Sequence, residues 1–400
     1  MSKQNDVVIV SAVRTAIGKF GGALRDVRAS RLAAHVMLEA LRRAKDLDAA
    51  SLDYIVVGDC IQCQDEANTA RTAALMAGLP VHVPAYTVQQ QCASSMQALI
   101  SGVQQIRCGD SEIVLAAGVE SMSSAPYYLS NARWGMRLMN QEVTDSLWEA
   151  LHSGSRLLGE GMLMGITAEN LAEKHGIPRR EQDEVALRSH NNAEAAITAG
   201  RFKDEIVPFE IPGPKGQKTI FEQDEHPRFG LSMADLEKLK PTFKPDGTIT
   251  PGNSSGLNDG AAAAILMTRR KAREFGLAPL ATIVCNAAAG VEPHLMGYGP
   301  VPSTRTALSK AGMTLQDIGL IELNEAFAAQ YIACERDLDL DRSITNVNGS
   351  GIGLGHPVGC TGLRLVVSLI HEMARRDVET GLATLCVGGG MGLTTIVTRN

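Results

Sequence analysis

Short apolar runs that stop at turn residues alternate along this chain with stretches where large apolar side chains return every three or four positions. The runs at 7–10, 53–57, 85–88 and 113–117 have the length and the β-branched content of buried strands. Between them, Leu32, Val36, Met37 and Leu41 fall on one helical face behind Ser30, a residue type suited to cap that helix. A second helix is expected over 70–76. Met96, Leu99, Ile100, Val103 and Ile106 mark a third, which follows closely on the strand ending at Val88. Strands alternating with amphipathic helices predict an α/β protein with largely parallel, covered sheets.

The pattern then repeats. ALSKA at 307–311, followed by DIGLIELNE, echoes ALRRA at 40–44, followed by DYIVVGD. A helical stretch over 362–373 leads into LATLCVGGG, much as the stretch behind Cys92 leads into IVLAAGVE, and the separation from Cys92 to Gly118 equals that from Gly362 to Gly388. Such self-similarity predicts two duplicated α/β halves with layered sheets and helices. The expected division is an N-terminal half over 1–126, completed by about 258–279, and a C-terminal half over 280–400. Residues 127–257 form an inserted loop domain, helical at 168–174 and 180–199 and irregular, proline-rich and charged over 208–247.

At 400 residues the chain exceeds one ordinary core, and its 44% hydrophobic content describes a globular interior. A net charge of -6 argues against nucleic acid or an anionic membrane as the main partner. A local basic patch for an anionic small molecule remains compatible with it. No apolar run reaches membrane-spanning length, no basic-then-apolar leader opens the chain, and the dispersed cysteines lack a disulfide-scaffold spacing. A cytoplasmic location is expected. Cys60 and Cys63 form a CxxC without a second pair at zinc spacing, so no metal is expected there. The glycine-rich loop at 14–24 fits neither a P-loop nor a dinucleotide fingerprint.

Cys92 stands where a strand turns into a helix. Unpaired N–H groups and the positive end of the helix dipole favour an anion at such a place, so its thiolate is expected to be stabilised. Three more segments carry chemistry. Asn324 follows the run LIEL and is able to orient a water or donate to an oxyanion. His356 lies in the glycine-dense GSGIGLGHPVGCTG, where backbone N–H groups and the imidazole reach a substrate closely. Cys386 ends a buried strand before the glycine run that contains Gly388, a backbone nest. At corresponding ends of duplicated units, the four converge on one crevice.

These segments, with RTAIGKFGG, GVESMS, MGITAENLA, TPGNSSGLNDGAAA, GPVPS and NEAFAAQ, resemble the thiolase family essentially end to end. The resemblance implies the thiolase fold and an acyltransferase. The reaction it implies is reversible cleavage of 3-ketoacyl-CoA by CoA, or Claisen condensation of an acyl-CoA with acetyl-CoA. By the same resemblance Cys92 carries the acyl group, His356 activates its thiol and Cys386 is the acid/base at the α-carbon. His356 with a water on Asn324 makes one oxyanion hole, and the N–H groups of Cys92 and Gly388 make the other. Ser255 lies near the pantetheine, Phe243 and Phe327 along its walls, Arg228 near the nucleotide and Met296 by the acyl pocket. Leu163 stands where many short-chain members carry a histidine, the segment 147–162 is longer, and Ala93-Ser94-Ser95 replaces a glycine-rich stretch. CoA is then a substrate, with no metal or redox cofactor, and a homodimer or homotetramer is implied.

Two rival readings remain at this stage. A cysteine hydrolase would use Cys, His and Asn, but papain-like signatures are absent and the second cysteine would be idle. A non-catalytic CoA- or lipid-binding subunit would not be expected to keep Cys92, Asn324, His356 and Cys386 together.

Overall fold

The strand Val7–Thr15 (β1) opens with apolar residues on both faces because both faces are covered, and each of its residues is buried. The computed structural model describes residues 3–45, 47–155, 159, 162–213 and 217–399. Further along the chain come β2 (Tyr54–Asp59), β3 (Ala85–Val88), β4 (Ile113–Ser121), β5 (Asn258–Thr268), β6 (Ala281–Gly290), β7 (Leu320–Leu323), β8 (Thr380–Val387) and β9 (Met391–Thr398). They form one sheet in the order β7-β8-β9-β6-β1-β5-β4-β2-β3, to which the short strands Gly18–Lys19 and Ile206–Val207 attach.

The two sides of this sheet carry the same arrangement. β2 pairs parallel with β4, β4 antiparallel with β5, and β5 antiparallel with β1. Likewise β7 pairs parallel with β8, β8 antiparallel with β9, and β9 antiparallel with β6. A short antiparallel contact, Val8 opposite Thr282 and Ile9 opposite Ala281, joins them. The expectation of largely parallel pairing is corrected. Among the described residues, the parallel strand pairs are β2 with its two neighbours, β7 with β8, and the short pair of β1 with Ile206–Val207. The reason is how the chain returns. A helix brings it back parallel, whereas β8 turns directly into β9 at Gly389 and Gly390, both with positive φ.

Two helices meet at the centre. Ser94–Cys108 packs on β4 and β2, and Val358–Arg376 packs on β4, β5, β8 and the first helix. The Ser95 hydroxyl donates to Cys360 O (2.9 Å) and accepts the Leu363 N–H (2.9 Å), which ties the helices together. Their approach needs glycine: a Cβ on Gly362 would lie 2.7 Å from Met96 Cβ, and one on Gly118 would lie 2.1 Å from Ser95 Cβ. Met96, Leu99, Val103, Leu363, Val366 and Ile370 share the resulting core.

Elsewhere the local expectations need adjusting. The first helix spans Ala29–Arg43 with Arg28 as its N-cap, so Ser30 is inside the helix and not its cap. Its hydroxyl and N–H are both taken by the buried Glu66 carboxylate. In the insert, Met164–His175 and Arg179–Thr198 pack against Ala328–Leu338. The section expected to be irregular contains a hairpin, Phe209–Pro212 with Lys218–Phe221, and a short helix, Met233–Glu237. Of the longer segment before Leu163, residues 156–158 and 160–161 lie outside the described residues. Among the described residues, no helix is long and apolar enough to cross a membrane.

Gly118→Ala forces a methyl into the Ser95 contact and is expected to cost about 1–3 kcal/mol. Calorimetry should therefore record a Tm lower by several degrees. An unchanged Tm would mean that the helices tolerate a wider separation.

Candidate active site

Three residues past the end of β3, Gln91 adopts a positive φ of 49°, a rare conformation for a side chain of this kind. Ser94 Oγ holds the kink by accepting the Gln90 N–H (2.9 Å) and donating to Gln91 O (2.7 Å). The chain then delivers Cys92 ahead of the helix Ser94–Cys108. The backbone N–H groups of Gly388 and of Cys92 itself face the buried sulfur. Burial pushes the thiol up to about 11, and these two N–H groups offset only part of the rise. The expected thiolate stabilisation is thus corrected. Lost hydration outweighs the helix terminus, and Cys92 rests as a thiol at neutral pH. Cys386, near the end of β8, is fully buried, and its thiol is pushed well up by burial, by the Cys92 sulfur and by Cys334.

His356 is placed by its own N–H, which donates to Asn258 Oδ1 (2.9 Å). Its Nδ1 lies 2.6 Å from Thr361 Oγ1, and that hydroxyl donates to Pro357 O (2.9 Å). With the hydroxyl proton already used, Nδ1 carries the hydrogen and Nε2 keeps its lone pair. Asn324, directly after β7, approaches Nε2 with Nδ2 at 3.5 Å. Burial, and then the positive charge of Arg364, push the imidazole down to about 3. At neutral pH His356 is therefore an uncharged base whose Nε2 carries a lone pair next to Asn324.

Cys92 and His356 open on one cavity of about 320 Å³, lined also by Leu163, Met164, Phe243, Ser255, Met296 and Phe327. Phe243 meets Phe327 edge-on at 6.5 Å between centroids. It fits because Gly165 has no side chain, since a Cβ there would lie 2.3 Å from its ring. Ser255 is held by its N–H donating to Ala326 O (2.9 Å). Asn324, Cys386 and Gly388 are buried beside the two reactive groups and do not form the cavity surface. Arg228 is not on the cavity: it is exposed, and its N–H donates to His190 Nδ1 (3.2 Å). Arg228 sits in a stretch of the charged excursion that lies outside the pocket, whereas Thr242 and Phe243 of the same excursion line it.

Residues not assigned to the site from the sequence complete it. Thr361 lies in the quoted GHPVGCTG, one helical turn past His356, so a capping role there was legible in principle. Leu147, Trp148 and Leu151 bring the insert over the cavity, and Cys60 and Ile61 line it from the loop after β2. The kink at Gln91 has no local signal, because glutamine has no preference for positive φ.

Residues 7–270 match the family model for the thiolase N-terminal domain, and residues 277–399 match that for the thiolase C-terminal domain. The chain belongs to the thiolase family. It is 49% identical over 400 residues to an acetyl-CoA acetyltransferase of Pseudomonas aeruginosa, covering 99% of this chain and 100% of that protein. The crystal structure of the Bacillus anthracis acetyl-CoA acetyltransferase superimposes with a TM-score of 0.96 at 52% identity, covering 99% of each chain. Human mitochondrial 3-ketoacyl-CoA thiolase in complex with CoA gives a TM-score of 0.93 at 41% identity, again over 99% of each chain. In this thiolase, then, a neutral thiol and a neutral imidazole share one largely apolar cavity.

Thr361→Val removes the acceptor that fixes the imidazole tautomer. We expect kcat to fall about 10²-fold or more, with little change in melting, and steady-state kinetics would check it. Iodoacetamide should label Cys92 of the free enzyme slowly at pH 7 and faster as pH climbs towards 11, because only the thiolate reacts. A labelling midpoint below pH 8 would contradict the balance drawn above between burial and the N–H groups.

Proposed function

We propose that this thiolase transfers acyl groups between CoA thioesters through Cys92. In the cleavage direction the Cys92 thiol gives its proton to His356 Nε2, and the sulfur attacks the 3-keto carbonyl. The C2–C3 bond breaks, the acyl group stays on Cys92 as a thioester, and Cys386 returns a proton to the departing enolate of acetyl-CoA. Free CoA then gives its thiol proton to the Cys386 thiolate and attacks the thioester, and the departing Cys92 sulfur recovers its proton from His356. Condensation is the same sequence reversed, with Cys386 removing the α-proton. Proton and bond changes balance within these side chains and CoA.

The observation that carries this reading is the placing of an uncharged His356, its Nε2 unprotonated, and a Cys92 sulfur that faces two backbone N–H groups on the same cavity. Those two N–H groups suit the oxyanion of the acyl-transfer step. Once Nε2 is protonated, it becomes a donor that serves the thioester enolate together with a water on Asn324. An α-proton of this kind is too weakly acidic for a base alone, so a donor at the enolate oxygen is required.

In the same reading the insert over 127–257 is the CoA-binding domain. Ser255, Phe243 and Phe327 follow the pantetheine, Met296 and Leu163 border the acyl group, and the exposed Arg228 meets the nucleotide phosphates outside the cavity. Two surfaces favour a homodimer or homotetramer. Among the described residues β3 ends the sheet with one edge unpaired, and the hairpin of Tyr127–Tyr128 with Thr144–Asp145 leaves Trp134, Leu138 and Met139 exposed. The setting we infer is cytoplasmic fatty-acid metabolism, with β-oxidation as one direction of use.

Incubation with acetoacetyl-CoA should leave an acetyl group on Cys92, and Cys92→Ser should abolish that adduct in intact-mass spectra. Cys386→Ala should still acylate from acetyl-CoA yet no longer exchange α-protons in deuterated buffer. Equal loss of both steps in Cys386→Ala would refute this division of roles.

A further inference from the structure

One hydroxyl from the insert grips both the stretch after β7 and the glycine loop ahead of His356. Ser189 lies on the helix Arg179–Thr198 and is completely buried. Its Oγ donates to Glu325 Oε2 (2.5 Å) and accepts the N–H groups of Gly353 (2.9 Å) and Ser350 (3.2 Å). The one proton and both lone pairs of the hydroxyl are thereby used. Glu325 follows Asn324 directly. Its carboxyl also accepts the Ile352 N–H (3.3 Å) and the side-chain amide of Asn346 (2.8 Å). Asn346 in turn bonds both the N–H and the carbonyl of Leu323 (2.9 and 2.8 Å).

The backbone is fitted closely to this grip. A Cβ on Gly353 would lie 2.8 Å from Ser189 Oγ, and one on Gly349 would lie 2.6 Å from Ser189 O. A Cβ on Gly351 would lie 2.7 Å from Asn324 Oδ1, so the segment that Ser189 holds is a wall against the Asn324 side chain. That wall matters because the amide has little else to fix it. Its Nδ2 stands 3.5 Å from His356 Nε2, and its Oδ1 has no hydrogen-bond partner among the described residues. His356 is fixed differently, by Asn258 and Thr361.

We propose that Ser189 is a positioning residue for the enolate step: by joining Glu325 to the Ser350 and Gly353 N–H groups, its hydroxyl sets the Asn324 amide beside His356. A helix of the insert thus aligns a group that the insert does not itself contain. Acylation of Cys92 does not use Asn324 and depends far less on this clasp. The inference rests on the reading of Asn324 and His356 as the enolate site.

The test uses the full-length protein and compares Ser189→Ala, Glu325→Gln and the double variant with the wild type. It reads α-proton exchange of acetyl-CoA in deuterated buffer, and the rate at which acetyl-CoA acetylates Cys92 by intact mass. In Ser189→Ala two buried N–H groups lose their acceptor and Glu325 loses a donor. Exchange should fall about 10²-fold, the scale of misplacing a reacting group by about 1 Å, whereas acetylation of Cys92 falls far less. A merely structural loss would lower both rates by the same factor, and that result overturns the proposal, as does exchange at the wild-type rate. Because the two residues act through one contact, the double variant should exchange no more slowly than the slower single variant. Losses that multiply would overturn the link between Ser189 and Glu325. If Ser189→Ala does not fold, Glu325→Gln carries the same comparison of the two rates. Asn324→Ala serves as the reference and should lose exchange with the same selectivity. Exchange at the wild-type rate in Asn324→Ala would sink the enolate-site reading and not the Ser189 contacts.

Discussion

Two helix N-termini have to come together inside one sheet, and the hydroxyl of Ser95, set between Cys360 O and the Leu363 N–H, is the contact through which they do. Cys92 stands just ahead of one helix and His356 just ahead of the other, so the spacing of the reactive pair is the spacing of the helices. Glycine at 118 and 362 lets that spacing be small. Ser95, where the family resemblance implies a glycine-rich stretch, is therefore a structural bond across the molecule's centre and does not line the Cys92 cavity.

Burial then dictates the electrostatics. Removing water pushes Cys92 and Cys386 up and His356 down, so all three rest uncharged at neutral pH. Charge is created only when a proton passes from sulfur to Nε2, and the N–H groups of Gly388 and Cys92 already face the atom that becomes negative. Donors fixed in advance in a dry site need no reorganisation at that moment. The burial that makes the free thiol inert also makes those donors strong.

The insert is fastened to this centre by charge. Arg14 on β1 is fully buried, with Nη1 and Nη2 paired to the two carboxylate oxygens of Asp224 (2.7 and 2.9 Å) and Nε turned to Glu205. Both acids belong to the insert, so an arginine from the RTAIGKFGG loop region is a structural anchor for the charged excursion. A buried guanidinium demands such partners, since its desolvation is otherwise uncompensated. The glycines that follow Arg14 let the loop run beside Glu225 on the same excursion, and no phosphate cradle is involved.

Periodicity of apolar residues was enough to find the strands, the two central helices and the internal echo, because burial imposes that pattern locally. The motifs around Cys92, Asn324, His356 and Cys386 were likewise legible, since glycine and small residues are required wherever backbone must approach a reacting group. The pairing direction of the strands was not, because it depends on how distant segments return to the sheet. Nor was the acidity of Cys92: a helix terminus is written in neighbouring residues, but the loss of water around the sulfur comes from the fold that buries it. The course of the charged excursion was not legible either, since it is held by partners distant in sequence, among them Arg14 on Asp224 and His190 on the Arg228 N–H. What one stretch of chain chooses for itself could be read from its residues; what solvent exclusion and long-range charge decide belongs to the folded molecule.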